Sequence, residues 1–359
     1  CEIDFDFLDI DINDMEDNAV ENFLEDNRYD IILSGSIVTH YKWMKWFTNK
    51  ARYYNRNATI IIGNSVAGSI PEIFLKNSSA DIAVMGEGEI TTAEVVHKIL
   101  RGEQNWGKVA GIAFKNKDGK IHINEKRKGV KKLDDFPMIN WENFDTEKYF
   151  EKSYAGAHAI NDKKVRVMPL VTARGCAFRC TFCHFVFWND PYRYRSPENI
   201  LLELKRNLVD YNCNYITFWD DLSFASLPQA ERFADAILAS GLKFNWNAAV
   251  RVDLFGNPKH SRERRLAVAK KFKLAGCLDL GFSLESANRE ILEMMNKKIE
   301  AEYFLEQVRV LEEVGIHCSI SVVFGYPIET AQTIKETFDM CYEAKIYPSM
   351  GYLLPLPAT

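Results

Sequence analysis

The feature that most restricts the fold of this chain is a repeated alternation of short apolar segments with amphipathic segments after residue 166. The predicted strands are residues 167–172, 215–219, 244–250, 279–284, 319–324 and 348–354. Helix signals lie between them: Ser196 precedes a proline at one predicted start, and Gly241, Gly276 and Gly315 follow predicted ends. Six strand–helix units favour a partial or complete parallel barrel, in which chemistry takes place at the carboxyl ends of the strands.

The first 105 residues show the same alternation on a shorter period. Residues 30–33, 59–62 and 81–85 are apolar runs followed by small residues, which is typical of parallel strands buried on both faces. Residues 3–10 alternate acidic and apolar side chains and predict a half-buried strand. Thr91 and Glu94 have the spacing of a capping box at the start of a helix. This pattern predicts a doubly wound, Rossmann-like α/β domain.

Residues 108–160 have a different character and predict a linker with a β-hairpin, whose turn contains Asp118 and Gly119. We therefore predict three segments: an α/β domain over 1–107, the linker over 108–160, and a barrel over 161–359. The chain begins at Cys1 rather than methionine and ends in a loop-like sequence at Thr359. Both domains are therefore expected to be incomplete at these ends.

Charge and composition exclude several classes of protein. The 45 basic and 50 acidic residues give a net charge of −5, which argues against general nucleic-acid binding. The basic stretch 126–132 fits a solvated connection better than a nucleic-acid site. A hydrophobic content of 47% supports a large core rather than disorder. We find neither an apolar run of about 18 residues nor a secretory signal, so we expect a cytoplasmic protein without a transmembrane segment.

Three of the eight cysteines lie within eight positions, directly after the first predicted barrel strand: Cys176, Cys180 and Cys183. Three thiolates on one loop can bind three irons of a 4Fe–4S cluster and leave the fourth iron open for chemistry. A structural zinc site is the alternative, but it needs a fourth ligand, and His184 adjoins Cys183 too closely to serve. Four other cysteines have apolar neighbours and are expected to be buried structural thiols: Cys213, Cys277, Cys318 and Cys341.

The spacing C-x3-C-x2-C, with Phe182 before the last cysteine, resembles the signature of the radical S-adenosylmethionine (SAM) superfamily. Further segments match in order the branch that carries an N-terminal cobalamin-binding domain. These segments are residues 172–176, 194–198, 218–221, 251–253, 281–286 and 325–330. The resemblance covers nearly the whole chain. It implies a 4Fe–4S cluster, SAM and cobalamin as cofactors.

The resemblance also implies roles for residues around SAM. Cys176, Cys180 and Cys183 would bind the cluster, and the amino and carboxylate groups of SAM would chelate the open iron. Phe182 would lie beside the adenine. The other predicted contacts are Asp220 and Asp221 near the amino group, Arg251 at the carboxylate, Glu285 at the ribose and Gly325 at the adenine. The two aspartates stand where the family often has Gly-Gly-Glu. Alternatively, Asp221 is a loop cap, Arg251 a salt-bridge partner and Glu285 a structural buried ion.

In the same branch, cobalamin lies at the carboxyl ends of the N-terminal strands, where small residues allow close approach to the backbone. The corresponding residues here are Ser34, Gly35, Ser36, Gly63, Asn64, Gly86, Glu87 and Gly88. Ordinary glycine turns are the alternative reading of these segments. The Asp-x-His-x-x-Gly motif is absent, so cobalt would be bound without a histidine. A first strand and helix are expected to be missing upstream.

The implied activity is cleavage of SAM to a 5′-deoxyadenosyl radical, followed by cobalamin-dependent methyl transfer to an unactivated carbon. A radical cyclase, oxidase or rearrangement enzyme without methyl transfer is the main alternative. A non-catalytic cluster- or cobalamin-binding module is the third. A small molecule, lipid or peptide is the expected substrate, and a flavodoxin or ferredoxin the expected electron donor. The aromatic stretch 185–194 would either contact substrate or pack at the barrel rim.

Overall fold

The computed structural model describes residues 3–152, 165–183 and 190–357 of the chain. These residues form two compact units, one made mostly of residues up to 130 and the other mostly of residues 131–354. Each unit is an α/β structure with parallel strands. The predicted fold class is confirmed.

The described residues of the first unit form a five-stranded sheet and five helices. Its strands are β1 (Ile31–Gly35), β2 (Thr59–Gly63), β3 (Ile82–Val84), β4 (Ile112–Lys115) and β5 (Ile121–Ile123). Its helices are α1 (Asp17–Asp26), α2 (Tyr41–Tyr54), α3 (Asn64–Ser69), α4 (Pro71–Asn77) and α5 (Glu89–Leu100), with a 3₁₀ turn at Val38–His40.

The sheet of the first unit has an apolar core on each face, as a doubly wound fold requires. Strands β1, β2 and β3 are parallel neighbours, and β4 and β5 extend the sheet as an antiparallel hairpin. Successive residues of β2 face opposite cores: Ile60 and Ile62 pack with α2 and α4, whereas Ile61 packs with α5. The predicted hairpin is therefore part of the first sheet. The boundaries at 107 and 160 stay predictions, and residues around 160 lie outside the described ranges.

Two local predictions in the first unit were wrong. Residues 3–10 form no strand, and Phe5 and Phe7 are 60% and 50% exposed. Alternation alone does not make a strand, because a strand also needs a partner edge. The capping box is also absent: α5 begins at Glu89, while the side chains of Thr91 and Glu94 both bind the guanidinium of Arg127.

In its described residues, the second unit contains a six-stranded parallel sheet, a separate two-stranded pair and eight helices. Its strands are β6 (Val167–Leu170), β7 (Ala173–Arg174), β8 (Arg193–Tyr194), β9 (Tyr215–Phe218), β10 (Asn245–Ala249), β11 (Cys277–Glu285), β12 (His317–Phe324) and β13 (Ser349–Tyr352). Its helices are α6 (Thr146–Lys152), α7 (Pro197–Asp210), α8 (Leu227–Ser240), α9 (Asp253–Gly256), α10 (Arg262–Leu274), α11 (Arg289–Met294), α12 (Glu302–Glu313) and α13 (Ala331–Glu343). Two 3₁₀ turns, Leu133–Asp135 and Trp141–Asn143, precede α6.

The large sheet keeps the order of the sequence. Its strands follow one another as β6, β9, β10, β11, β12 and β13, all parallel, while β7 and β8 form a separate antiparallel pair. This is the predicted partial barrel. The helix signals were also read correctly, since Ser196 caps α7 and Gly241, Gly276 and Gly315 all have positive φ after helix ends.

The two faces of the large sheet differ in chemistry. On one face, alternate residues such as Phe218, Trp246 and Phe282 join the apolar core beneath the helices. The residues between them on the other face are mostly polar or small: Thr217, Asn245, Asn247, Asp279, Gly281, Ser283, Ser319 and Ser321. Barrel interiors that serve only as a core are filled by branched apolar side chains. A polar inner face instead suits a ligand.

Candidate functional site

The three clustered cysteines lie on a loop that begins at the carboxyl end of the first barrel strand. After β6 and the short β7, the chain turns at Gly175, whose φ of +74° is in the left-handed region that favours glycine. Cys176 and Cys180 are partly exposed and Cys183 is exposed. The predicted position of the cysteines is therefore the position found.

The backbone that leads into this loop is held by Asp220, which follows β9. Asp220 Oδ1 accepts hydrogen bonds from the backbone N–H groups of Thr172 and Ala173, at 2.7 and 2.9 Å. Its Oδ2 accepts a 2.6 Å bond from the Thr172 hydroxyl. Burial raises the pKa of Asp220, and these hydrogen bonds partly offset the rise. Both carboxylate oxygens are thus occupied by the protein's own groups, Oδ1 by backbone N–H groups and Oδ2 by the Thr172 hydroxyl.

Asp221 is arranged differently. Its carboxylate accepts a hydrogen bond from the backbone N–H of Gly175, at the start of the cysteine loop. Desolvation raises the pKa of Asp221, and this single bond lowers it in part. Of the two predicted aspartates, Asp221 is the one that lies against the cysteine loop itself.

The three thiols lie close enough to interact electrostatically. Desolvation, followed by repulsion from the other two cysteines, raises the pKa of Cys183 to about 11. Among the described residues, no three Cys, His, Asp or Glu side chains converge as the ligands of one metal ion would. A 4Fe–4S cluster does not require that convergence, because each thiolate binds a different iron. The donor set and its spacing along one loop therefore fit a cluster better than a single zinc ion.

The aromatic residue between the last two cysteines packs against a ring from the far side of the sheet. The ring of Phe182 makes an edge contact with Tyr326, with centroids 6.5 Å apart. Tyr326 follows Gly325, whose φ of +104° again favours glycine and whose N–H donates to Glu329 at 2.6 Å. Phe182 and Gly325 were both predicted to lie near an adenine. The structure brings their segments together.

Glu285, the last residue of β11, is buried and has a partner that sequence reasoning missed. Its Oε1 lies 2.7 Å from Nζ of Lys297, and the two side chains are only 5% and 10% exposed. A register shift in the β11–β12 pairing accompanies a φ of +63° at Glu285. The strand end is therefore distorted where this carboxylate turns inward. Lys297 Nζ also lies 5.6 Å from the centre of the Phe182 ring.

Arg251 is engaged with the same loop. Its guanidinium lies 3.4 Å from the centre of the Phe178 ring and donates to the carbonyl oxygen of Lys297 at 2.9 Å. Its Nε pairs with Asp253 at 3.2 Å. Burial raises the pKa of Cys180, while the charges of Lys297 and Arg251 lower it in part. A salt-bridge role and a ligand role for Arg251 are both compatible with this geometry.

The residues predicted to contact cobalamin lie at one edge of the first unit. Gly35 and Gly63 end neighbouring parallel strands and are register partners. A Cβ placed on Gly35 would come within 3.2 Å of the Gly63 carbonyl carbon, whereas a Cβ on Gly63 would meet nothing within 4 Å. A side chain would therefore be crowded at the end of β1 but would have free space at the end of β2.

The polar side chains next to these glycines contact residues of the following segment of the chain. The hydroxyl of Ser34 lies 3.8 Å from the sulfur of Met44, and that of Ser36 lies 2.9 Å from Nδ1 of His40. Asn64 has a φ of +62° and accepts a bond from the next N–H at 2.6 Å.

The third strand end completes this edge. Gly86 has a φ of +78°, and Gly88 is the N-cap residue of α5. Glu87 lies between them. Because β1, β2 and β3 are consecutive parallel strands, their carboxyl ends meet at one edge, and all eight predicted residues lie there.

The predicted structural thiols are confirmed, because Cys213, Cys277, Cys318 and Cys341 are all buried. Of the aromatic stretch 185–194, residues 185–189 lie outside the described ranges. Tyr192 is described, and its hydroxyl donates to the Ser223 carbonyl at 2.9 Å. In the described part of the chain, no helix is both long and apolar enough to cross a membrane.

Residues 170–341 match the family model of the Radical SAM superfamily. The chain carries a radical SAM domain. This domain contains the cysteine loop, Asp220, Arg251, Glu285 and Gly325, and it confirms the resemblance inferred from the sequence.

Relatives and solved structures extend the comparison beyond the radical SAM domain. An uncharacterized methyltransferase of Pyrococcus horikoshii is 27% identical over 315 residues, which cover 86% of this chain and 63% of the relative. An anaerobic magnesium-protoporphyrin IX monomethyl ester cyclase of Rubrivivax gelatinosus is 24% identical over 93% of this chain and 58% of the relative. The chain thus spans about three fifths of the length of these relatives.

The structure of OxsB, a cobalamin-dependent S-adenosylmethionine radical enzyme with aqua-cobalamin and S-adenosylmethionine bound, superposes with a TM-score of 0.71. The match has 21% identity and covers 90% of this chain and 45% of OxsB. At that identity the similarity is one of fold. It includes both units, so the predicted combination of an N-terminal α/β domain and a radical SAM domain is confirmed.

Proposed function

We propose that this chain belongs to a radical SAM enzyme that methylates an unactivated carbon with the help of cobalamin. The single observation that carries the proposal is the cysteine loop, seated at the carboxyl end of β6 beside Glu285, Lys297 and Arg251. When bound, a 4Fe–4S cluster and SAM supply a 5′-deoxyadenosyl radical, and cobalamin supplies a methyl carrier.

The chain's own residues would bind and orient these groups. Cys176, Cys180 and Cys183 would each hold one iron. Asp221 is the better candidate for the SAM amino group, because both oxygens of Asp220 are occupied by Thr172 and Ala173. Asp220 would then act indirectly, by fixing the backbone that leads to the first cysteine.

The other proposed contacts use hydrogen-bonding groups that are not occupied by the protein itself. Glu285 Oε1 is paired with Lys297, so its second oxygen would accept from the ribose hydroxyls. Phe182 and the Gly325 segment would enclose the adenine. Arg251 would pair with the SAM carboxylate through guanidinium N–H groups not used by Asp253 or the backbone carbonyls.

Cobalamin would lie against the strand-end edge of the first unit. The residues proposed to contact it are Ser34, Gly35, Ser36, Gly63, Asn64, Gly86, Glu87 and Gly88. Support comes from the absence of side chains at paired positions of β1 and β2, which lets a large planar ligand approach the backbone. A small molecule, lipid or peptide would be the substrate, and a flavodoxin or ferredoxin the electron donor.

The deciding experiment combines reconstitution with isotope tracing. The chain is purified without oxygen, loaded with iron, sulfide and cobalamin, reduced with dithionite, and given SAM carrying a labelled methyl group. Formation of 5′-deoxyadenosine by the native chain, but not by a Cys180→Ala variant, is the expected result. No 5′-deoxyadenosine despite an intact reduced cluster would overturn the proposal.

A second candidate is a radical cyclase or other enzyme without methyl transfer. It is favoured by the similarity to the magnesium-protoporphyrin ester cyclase, which extends over 93% of this chain. With substrate present, label retained in methionine or unreacted SAM rather than in product would select this alternative. A non-catalytic binding module would bind cluster or cobalamin and yet form no 5′-deoxyadenosine.

A further inference from the structure

The cysteine loop rests on a short turn formed by residues 294–298, which begins at the last residue of α11. The backbone N–H of Thr181 donates to the carbonyl of Met295 at 2.9 Å, and its hydroxyl donates to the carbonyl of Met294 at 3.1 Å. On the other side of Cys180, the amide of Asn296 donates to the carbonyl of Arg179 at 2.6 Å. The residues on both sides of Cys180 are therefore tied to the same turn.

The turn is itself held in an unusual conformation. Asn296 and Lys298 have φ values of +50° and +51°, in the left-handed region. Arg251 donates to the carbonyls of both Lys297 and Lys298, at 2.9 and 3.2 Å, while it stacks on Phe178. Strained backbone of this kind persists only where surrounding contacts determine it. The contacts here come from the loop and from Arg251.

Lys297 places a positive charge at the centre of these contacts. Its side chain is buried, its ammonium pairs with Glu285 at 2.7 Å, and it lies 5.6 Å from the centre of the Phe182 ring. Removal of one member of a buried ion pair leaves the other charge uncompensated, which is strongly destabilising. Lys297 therefore fixes where the carboxylate of Glu285 lies and ties it to the ring between two cysteines.

We propose that the 294–298 turn is the element that positions the cysteine loop, and that Lys297 is the positioning residue that joins this loop to Glu285. This proposal has two consequences. First, the turn orders the cysteine loop before any cluster binds. Second, Lys297 holds Glu285, the proposed SAM contact, in a fixed position relative to the cysteines. The second consequence rests on the proposed function; the first does not.

The two lysines of the turn provide a matched pair of variants. Lys297→Met and Lys298→Met remove the same charge from adjacent residues, but the Lys297 side chain is buried and that of Lys298 is exposed. Hydrogen exchange of the metal-free chain, followed by mass spectrometry of the peptide 176–183, reports loop order directly. We expect exchange in that peptide to accelerate roughly tenfold in Lys297→Met and to stay at the native rate in Lys298→Met.

Two further variants separate positioning from a general loss of folding. Lys297→Arg retains a cation that can pair with Glu285 and is expected to restore slow exchange. The double variant Glu285→Gln, Lys297→Met removes both charges and so leaves no unpaired buried ion, yet it is still expected to expose the loop. The positioning role would be overturned if Lys297→Met and the double variant both remained folded by circular dichroism and the peptide 176–183 exchanged at the native rate in both.

SAM affinity of the reconstituted chain gives the second readout. Equilibrium dialysis with SAM should show at least about a tenfold loss for Lys297→Met, recovery in Lys297→Arg, and no loss for Lys298→Met. Equal affinity in all variants would remove the link to SAM. If the native chain itself binds no SAM, the proposed function fails, while the exchange experiment still decides whether the turn orders the loop.

Discussion

Asp220 accepts hydrogen bonds from both the backbone N–H and the hydroxyl of Thr172, at 2.7 and 2.6 Å, in a buried environment. This pair joins the end of β9 to the end of β6, the strand that leads to the cysteine loop. Asp220, which was predicted to contact SAM, thus binds the backbone four residues before Cys176. Its importance would be missed in an assay that looked only for ligand contacts.

The first prediction concerns the loss of this contact. Asp220→Ala leaves three buried donors on Thr172 and Ala173 without an acceptor, which should lower the free energy of unfolding by about 3 kcal/mol or more. Urea unfolding of the metal-free chain measures the change. The exposed Asp210→Ala is the control, expected within about 0.5 kcal/mol of native. Equal stability of the two variants would show that the contact contributes nothing.

The second prediction is a pH dependence with a definite sign. Because burial raises the pKa of Asp220 in the folded chain above the unfolded value of about 3.9, the folded state keeps this proton longer. The contribution of Asp220 to stability is therefore complete below about pH 4 and declines as pH rises through the folded pKa. Asp220→Asn retains the Oδ1 acceptor but does not titrate. As pH rises above about 4, the free energy of unfolding of Asp220→Asn should fall less steeply than that of the native chain. Identical pH dependence in the two proteins would contradict a raised pKa for Asp220.

Most strands were predictable because their signal is local. The run Thr59 to Ile62 alternates between two cores, and its apolar character is visible without knowledge of its neighbours. Residues 3–10 carry an equally regular pattern but form no strand, because strand pairing depends on contacts that are distant in the sequence. Thr91 and Glu94 have capping-box spacing, yet Arg127, more than 30 residues later, takes both side chains.

The candidate site shows the same division. The cluster of three cysteines is predictable because all three lie on one loop, whereas Lys297 meets Glu285 only because the chain reverses direction between them. One signal was nevertheless present in the sequence. Met295, Lys297 and Ile299 alternate with more exposed residues and are all buried, so the apolar flanking residues place Lys297 on the inner side. A lysine in an otherwise apolar alternate position indicates a buried partner.

The third prediction separates the two groups of cysteines by reactivity. Burial raises the pKa of Cys213 to about 12 and that of Cys341 to about 11, and it raises those of Cys277 and Cys318 as well. The pKa of Cys183 is raised to about 11 as well, so accessibility rather than pKa separates the two groups. Cys183 is exposed, whereas these four thiols are buried and should react slowly with iodoacetamide. Peptide mass spectrometry of the folded, metal-free chain should show modification at Cys183 well before Cys213 or Cys341. Denaturation in guanidinium should remove the difference. Rapid labelling of Cys341 in the folded chain would refute its buried position.

The last prediction uses the asymmetry of the glycine edge in the first unit. A methyl group on Gly35 would lie 3.2 Å from the carbonyl carbon of Gly63 and would push two hydrogen-bonded strands apart, whereas one on Gly63 has open space. Gly35→Ala should therefore lower the free energy of unfolding by about 1–3 kcal/mol, and Gly63→Ala should change it by less than about 0.5 kcal/mol. Urea unfolding tests this part. Cobalamin affinity, followed by its absorbance in the dialysed protein, should fall in both variants if the ligand lies on this edge, because either methyl group would stand between the ligand and the backbone. If only the destabilised Gly35→Ala lost cobalamin affinity and Gly63→Ala bound cobalamin normally, cobalamin would lie elsewhere.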